Sequence, residues 1–311
     1  MVQTDSMKNK VVVVCGPTAS GKTELSVRLA ERLGSEIVSA DSIAIYRGLD
    51  IGTAKPDESE RKRAVHHLID IVDPKEEFSV AEYETAALKT IQDLVKIGKT
   101  PVICGGTGYF IDAILYKKSY GNCPKDPAIR AELDEIVKEK GAEFLHSMLK
   151  EADPATAEKL SVNDVMRVSR ALEIFRSTGV KKSEITDERT PRFDYCAFMI
   201  DYPRETLYER IEQRVDKMFE LGLVDEVKRL LSEGVLPSAQ SMQGIGYKEV
   251  VEGIENGFSE EEIKDIIKRN TRRYAKRQIT YFKRTADLHY LKPDLAFDEA
   301  VKILENERII D

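Results

Sequence analysis

The sequence predicts an α/β fold in which a parallel sheet is flanked by helices and an all-helical insertion interrupts the chain. Three observations lead there. Short continuous apolar runs alternate with amphipathic stretches in the first third, the pattern of buried parallel strands joined by crossover helices. A Gly-rich turn separates the first run from the first amphipathic stretch. The middle of the chain then reads as helix without a strand, and a later apolar run restores the opening pattern.

In chain order, Val11 to Cys15 is the first strand, and Gly16 to Thr23 is the Gly-rich turn. Glu24 to Leu33 carries Leu25, Leu29 and Leu33 at helical spacing, with Gly34 as a stop. Glu36 to Ala40 is a second strand that ends at Asp41, and Asp50 to Pro56 is loop-like. Phe78 to Ile97 is a helix whose Ser79 and Glu82 fit a capping box. Pro101 to Cys104 is a third strand, followed by the loop Gly105 to Gly108. Tyr120 to Arg192 reads as helices with turns at Gly121–Pro124, Asp153–Pro154 and Gly179. Tyr195 to Ile200 is a fourth strand, closing on Asp201. Glu205 to Leu231 and Glu260 to Phe282 each read as one long helix, and Leu288 to Leu291 is a fifth strand. The prediction is a five-stranded parallel sheet built from residues 1–120 and 193–311, with the helical insertion at 121–192.

Composition narrows the class. A chain of 311 residues suggests about two domains, and 41% hydrophobic residues supply a real core. No run approaches the ~20 apolar residues of a membrane span. Met1 to Lys10 lacks an apolar signal-peptide core, so the expectation is a cytoplasmic protein without a membrane partner. Cys15, Cys104, Cys123 and Cys196 lie far apart with no CxxC pair. That argues against a zinc ribbon or a disulfide scaffold.

The residues Gly16, Pro17, Thr18, Ala19, Ser20, Gly21, Lys22 and Thr23 match GxxxxGK[ST]. Placed between a strand and an amphipathic helix, they predict a core of the P-loop NTPase type. Glycines turn backbone N–H groups toward a phosphate, and the helix presents its positive end. Lys22 adds a point charge, and Thr23 offers a hydroxyl to Mg²⁺. Strand ends supply Asp41 and Asp201 as candidate acids, with Thr107 on the same rim. Asp41 is preferred because the first crossover brings its strand near the phosphate loop. A helix cap or turn is the plainer alternative for either Asp.

The net charge of −7 does not suggest a nucleic-acid binder, but charge is unevenly spread. The window Ile266 to Ala286 contains no acid and eight bases: Lys268, Arg269, Arg272, Arg273, Lys276, Arg277, Lys283 and Arg284. Arg269, Arg272, Arg273, Lys276 and Lys283 share one helical face, while Ile263, Ile267, Tyr274, Gln278 and Tyr281 lie on another. The helix is expected to dock by one face and offer phosphate contacts from the other. The adjacent His66 and His67 have no evident third metal ligand. Gly244-Ile245-Gly246-Tyr247-Lys248 mixes flexible backbone, an aromatic ring and a base, which suits either an unstacked nucleotide or a simple loop.

Several segments together resemble one family, the bacterial tRNA dimethylallyltransferases, also called tRNA isopentenyltransferases. They are GPTASGKT (16–23), DSIAIYRGLDIGTAKP (41–56), HHLID (66–70), GGTG (105–108), NDVMRVSRALE (163–173), GIGYKE (244–249) and AKRQITYFKR (275–284). They stand in the family's order and cover nearly the whole chain. The resemblance implies transfer of a dimethylallyl group from its diphosphate to the exocyclic amine of the adenosine immediately 3′ of the anticodon. The acceptors would be tRNAs reading codons that begin with U, and the products modified tRNA and diphosphate.

By the same resemblance, Asp41 would be the general base, with Lys22 and Thr23 catalytic and Mg²⁺ held near Thr23. Donor diphosphate would sit on the loop residues 16–23 and Arg214. The anticodon stem-loop would be touched by Asp41, Ser42, Ile43, Ala44, Thr107 and Arg130, and by Met166, Arg167, Val168, Ser169 and Arg170 of the insertion. Gln243, Gly244, Ile245, Gly246, Tyr247 and Lys248 would join them, as would Lys276, Arg277, Gln278, Ile279, Thr280, Tyr281, Phe282 and Lys283. A monomer is expected. Many members have Gln where this chain has Ala44, and Leu-Tyr where it has Tyr109-Phe110. The rivals are an adenylate isopentenyltransferase, which would not need the basic stripe, a P-loop small-metabolite kinase, and an RNA-binding module with a vestigial nucleotide site.

Overall fold

Val11 to Val14 have no exposed surface, because the strand they form lies in the middle of a sheet. In the computed structural model, which describes residues 9–119, 123, 125–186 and 190–309, this strand is β1 (Lys10–Cys15). It is followed by α1 (Lys22–Leu33), β2 (Ile37–Ser39), α2 (Glu58–Arg63), β3 (His66–His67), α3 (Val80–Lys96), β4 (Val102–Gly105) and α4 (Gly108–Leu115). Ser79 caps α3 in the expected capping box with Glu82. After the central region come β5 (Asp194–Ile200), α8 (Arg204–Glu220), α9 (Leu223–Ser232), α10 (Tyr247–Asn256), α11 (Glu260–Phe282), β6 (Leu288–Leu291) and α12 (Ala296–Asn306). The central region holds α5 (Pro127–Ala152), α6 (Pro154–Ala157) and α7 (Val165–Thr178).

The strands run in the order β3-β2-β4-β1-β5-β6, all neighbours parallel. The sheet therefore has six strands, not five. The missed strand is β3, two residues long and made of histidines, which gives no apolar run to detect. It pairs Ile37 with His66 and Val38 with His67. Leu25, Leu29 and Ala30 of α1, Ala300 and Leu304 of α12, and Val12, Val14, Cys196 and Phe198 of the sheet share one apolar core. No helix among the described residues is long and apolar enough to cross a membrane.

The chain forms two units, Met1–Leu115 with Pro191–Asp311, and Tyr116–Thr190. The second is helical among its described residues. Leu133, Leu145, Leu149, Val168 and Leu172 make its own core. Asp153 caps α6, accepting from the amide and hydroxyl of Thr156. Gly179 ends α7 at φ 72°. The predicted turn at Gly121–Pro124 falls, apart from Cys123, outside the described residues. One expected long helix is two: Glu205–Leu231 breaks between α8 and α9, where Gly222 takes φ 92°.

Candidate functional site

The phosphate-loop segment turns sharply out of β1. Gly16 has φ 138°, and Gly21 has φ 80° at the N-cap of α1. These angles suit glycine. Ala19 also sits in the left-handed region, at φ 62°. No side chain caps α1, so the unpaired N–H groups of its first turn remain for a ligand. The loop is held from two sides. Arg210 Nε donates to the Ala19 carbonyl (2.8 Å), and the Thr18 N–H donates to Gln278 Oε1 (3.0 Å).

A cavity of about 360 Å³ opens at the carboxyl ends of β1, β2 and β4, within the range of small-ligand sites. Thr18, Lys22 and Thr23 line it from the loop and α1, Asp41, Ser42, Ile43 and Ala44 from the segment after β2, and Arg214 from α8. Gln243, Gly244, Ile245 and Gly246 close one side, and Arg277 and Gln278 come from α11. Asp41 Oδ1 accepts the N–H groups of Ile43 (2.9 Å) and Ala44 (3.2 Å), which fixes the carboxylate. Thr107 Oγ1 accepts the Ser42 N–H (3.1 Å), tying the β4 loop to the Asp41 segment. Arg214 Nη2 donates to the Thr53 carbonyl (3.0 Å).

The electrostatics favour an anion. Burial, with Arg214 nearby, holds Lys22 below the ordinary lysine value, against the opposing pull of Asp41. Burial likewise lowers Arg214, again opposed by Asp41. Among the described residues neither cation makes an ion pair within 4.0 Å. Lys55, also lining the cavity, is neutralised by Asp50 and Asp70. Two partly buried cations lining the same cavity as one carboxylate leave room for bound negative charge. Apolar side chains of Ile37, Ile69, Val215, Met218 and Ile267 line the same space.

Not every expected contact residue faces it. Tyr247 is 0% exposed, its hydroxyl donating to Glu226 Oε1 (2.6 Å) and accepting the Gly52 N–H (3.1 Å). Its ring props up the 50–53 loop and is not available for stacking. Gln278, Phe282 and Ala44 are buried too. Asp201 is exposed, and its N–H pairs with the Leu291 carbonyl. In the helical unit, Met166 is 84% exposed while Val168 is core. Arg130 and Arg170 both grip Glu173, which is 1% exposed. Burial opposes the charge on Glu173, but these hydrogen bonds prevail and hold its pKa at about 2.

The basic stripe is narrower than its sequence suggests. Arg272 pairs with Glu212 (2.5 Å) and Lys268 with Asp216 (2.6 Å), both acids on α8. Arg269, Arg273, Lys276, Arg277, Lys283 and Arg284 are exposed. Residues that sequence patterning left out also line the cavity: Thr53, Lys55, His66, Thr271 and Tyr274. The DIGTAKP segment was distinctive, but nothing in it announced that Lys55 would be buried. Tyr274, on the docking face of its helix by sequence, lines the cavity. Burial, then the charge of Asp41, pushes its hydroxyl up to about 12.

Comparison with known proteins is consistent with this arrangement. The family described as IPP transferase matches residues 44–285. A protein of Acetivibrio thermocellus named tRNA dimethylallyltransferase is 44% identical over 301 residues, 96% of each chain. One of Bacillus licheniformis with the same name is 47% identical over 283 residues, 90% of each chain. A solved tRNA isopentenylpyrophosphate transferase of Bacillus halodurans superposes with TM-score 0.71 and 40% identity, covering 97% of this chain and 96% of that one. A eukaryotic dimethylallyltransferase described as acting on tRNA gives TM-score 0.82 and 29% identity, over 97% of this chain and 79% of the other. By the extent of these matches, the chain belongs to the IPP transferase family.

Proposed function

We propose that this chain transfers a dimethylallyl group from dimethylallyl diphosphate to the exocyclic amine of the adenosine immediately 3′ of the anticodon, in tRNAs reading codons that begin with U. The observation that supports it best is one cavity shared by a phosphate loop, two partly buried cations and a fixed carboxylate. The core is then of the P-loop type, with the loop holding a leaving group. The proposed setting is the cytoplasm, and the proposed state a monomer.

The adenosine amine attacks C1 of the dimethylallyl group. The C1–O bond breaks, its electron pair leaves with diphosphate, and a proton passes from the attacking nitrogen to the Asp41 carboxylate. Lys22, Arg214 and the free amides at the start of α1 stabilise the charge that builds on the leaving group. The apolar wall takes the prenyl chain. Magnesium fits a neutral hydroxyl at Thr23 in the cavity that Asp41 also lines, since it favours oxygen and takes most of its shell from phosphate and water. When bound, it would further neutralise the diphosphate. Arg273, Lys276 and Arg277 would position the RNA by its phosphates.

The test is a transfer assay with radiolabelled dimethylallyl diphosphate, magnesium and unmodified tRNA, with AMP as a parallel acceptor. Label in tRNA is expected; label in AMP alone, or in neither, would refute the proposal. Asp41→Asn keeps the oxygen that accepts the Ile43 and Ala44 amides. It should lower the single-turnover rate about 10²–10⁴-fold while donor affinity holds. A normal rate with weakened donor binding would remove Asp41 as the base.

A further inference from the structure

Gln278 is on the helix that carries the basic stripe, yet it is 6% exposed. Its side-chain amide uses both ends. Oε1 accepts the N–H of Thr18, in the middle of the phosphate loop (3.0 Å). Nε2 donates to the carbonyl of Gly106, in the loop after β4 (2.9 Å). The fit is close, because a Cβ on Gly106 would lie 2.4 Å from Nε2. Thr18 directly precedes Ala19, whose left-handed backbone (φ 62°) is costly for a residue with a side chain. Such a conformation persists only where its surroundings impose it. The Gln278 bond at Thr18 and the Arg210 bond at the Ala19 carbonyl bracket it, and Ala19 also packs against Leu207, Ile211 and Ala275.

We propose that Gln278 is a positioning residue for the donor site. By clasping Thr18 and Gly106, it sets the loop's conformation before the diphosphate arrives. This rests on the loop being the donor's diphosphate site, as proposed above. Gln278 falls in a stretch whose family counterparts suggest RNA contact, but its buried side chain has both polar ends engaged within the protein. Its effect therefore passes through the loop to the donor and bypasses the RNA.

Three variants separate these roles. Gln278→Leu removes both hydrogen bonds at similar volume. Gln278→Glu keeps an oxygen to accept the Thr18 N–H but sets a second against the Gly106 carbonyl. Gly106→Ala displaces Nε2 without changing Gln278. Donor Kd, tRNA Kd and the single-turnover rate at saturating donor are measured for each, with inorganic diphosphate titrated in parallel. Losing a loop-ordering hydrogen bond should weaken donor and diphosphate binding about tenfold in Gln278→Leu. Gln278→Glu, which repels the Gly106 carbonyl and adds a negative charge beside the anion site, should weaken donor binding at least as much as Gln278→Leu, and Gly106→Ala should reproduce the donor defect. The saturated rate and tRNA Kd should hold. In the double variant Gln278→Ala/Gly106→Ala the clash is gone, so its donor Kd should match that of Gln278→Ala alone. Weakened tRNA binding with unchanged donor binding would overturn the proposal, as would wild-type diphosphate affinity throughout. A wild-type protein that transfers no label would refute the proposed function instead, and the diphosphate titration would still decide the role of Gln278.

Discussion

Glu173 lies under two arginines in the helical unit, and replacing it with glutamine should uncouple that unit's stability from acid. The carboxylate accepts from Arg130 Nε (2.8 Å), Arg130 Nη2 (3.1 Å) and Arg170 Nη1 (2.6 Å), and from the Asp126 N–H (2.8 Å). Its folded pKa of about 2 compares with about 4.3 for a glutamate in an unfolded chain. A difference of about two units corresponds to about 3 kcal/mol at neutral pH. Because the folded pKa is depressed, that stability is fully present above about pH 4.3 and is lost as pH falls through about 2. Native-state hydrogen exchange on the amides of α5 and α7, corrected for intrinsic rates, reads this unit separately from the sheet. Glu173→Gln should cost about 3 kcal/mol of protection at pH 7, with the gap closing as pH falls below 4.3. Equal protection at pH 7, or a gap unchanged down to pH 2.5, would refute the reasoning.

Two further outcomes follow from the cavity and the helix beside it. Replacing Arg273, Lys276 and Arg277 together with glutamine should reduce the slope of log affinity against log salt for tRNA by about 2 to 3. Arg272→Gln should leave that slope near wild type, because Glu212 already neutralises this arginine; the opposite ranking would place the RNA on the other face. Lys22 has a lowered pKa because it is buried, so its charge costs stability at low pH and that cost is relieved as pH rises through the lowered value. Bound diphosphate favours the charged form, so donor binding should take up a proton and weaken on the alkaline side before pH 10.5. Calorimetry in two buffers of different ionisation heat, run at alkaline pH on wild type and Lys22→Met, checks this; an alkaline loss of affinity and a proton uptake unchanged in the variant would exclude Lys22 as the diphosphate's partner.

Most of the sheet was legible because its strands are continuous apolar runs, and the phosphate loop because its chemistry is local. β3 escaped notice for want of length, and α8 and α9 merged because the apolar spacing hardly changes across Gly222. The Asp41 segment was found by strand-end logic. Its fixed carboxylate depends on amides two and three residues on, so sequence proximity was a fair guide. The partners of Arg272 and Gln278 escaped notice for the opposite reason. Those partners, Glu212, Thr18 and Gly106, lie 60, 260 and 172 residues away. A helical wheel gives direction, but not what another element will bring to meet it. Tyr247 shows the same limit: its spacing suits a nucleotide, while Glu226 from another helix decides its role.

β1 is bordered by β4 on one side and β5 on the other, and residues 106–193 separate those two neighbours in the chain. A ribosome adding about 5–20 residues per second needs on the order of ten seconds to make that stretch. During that interval β3, β2, β4 and β1 can pair while one edge of β1 stands open, displaying Val11, Val12, Val13 and Val14. Such an edge recruits other strands. The same interval allows the helical unit to form its separate core. Anything that stalls translation between residues 106 and 193 lengthens the exposure of that edge, so synthesis rate in this window should set the yield of folded protein more strongly than it does after residue 200.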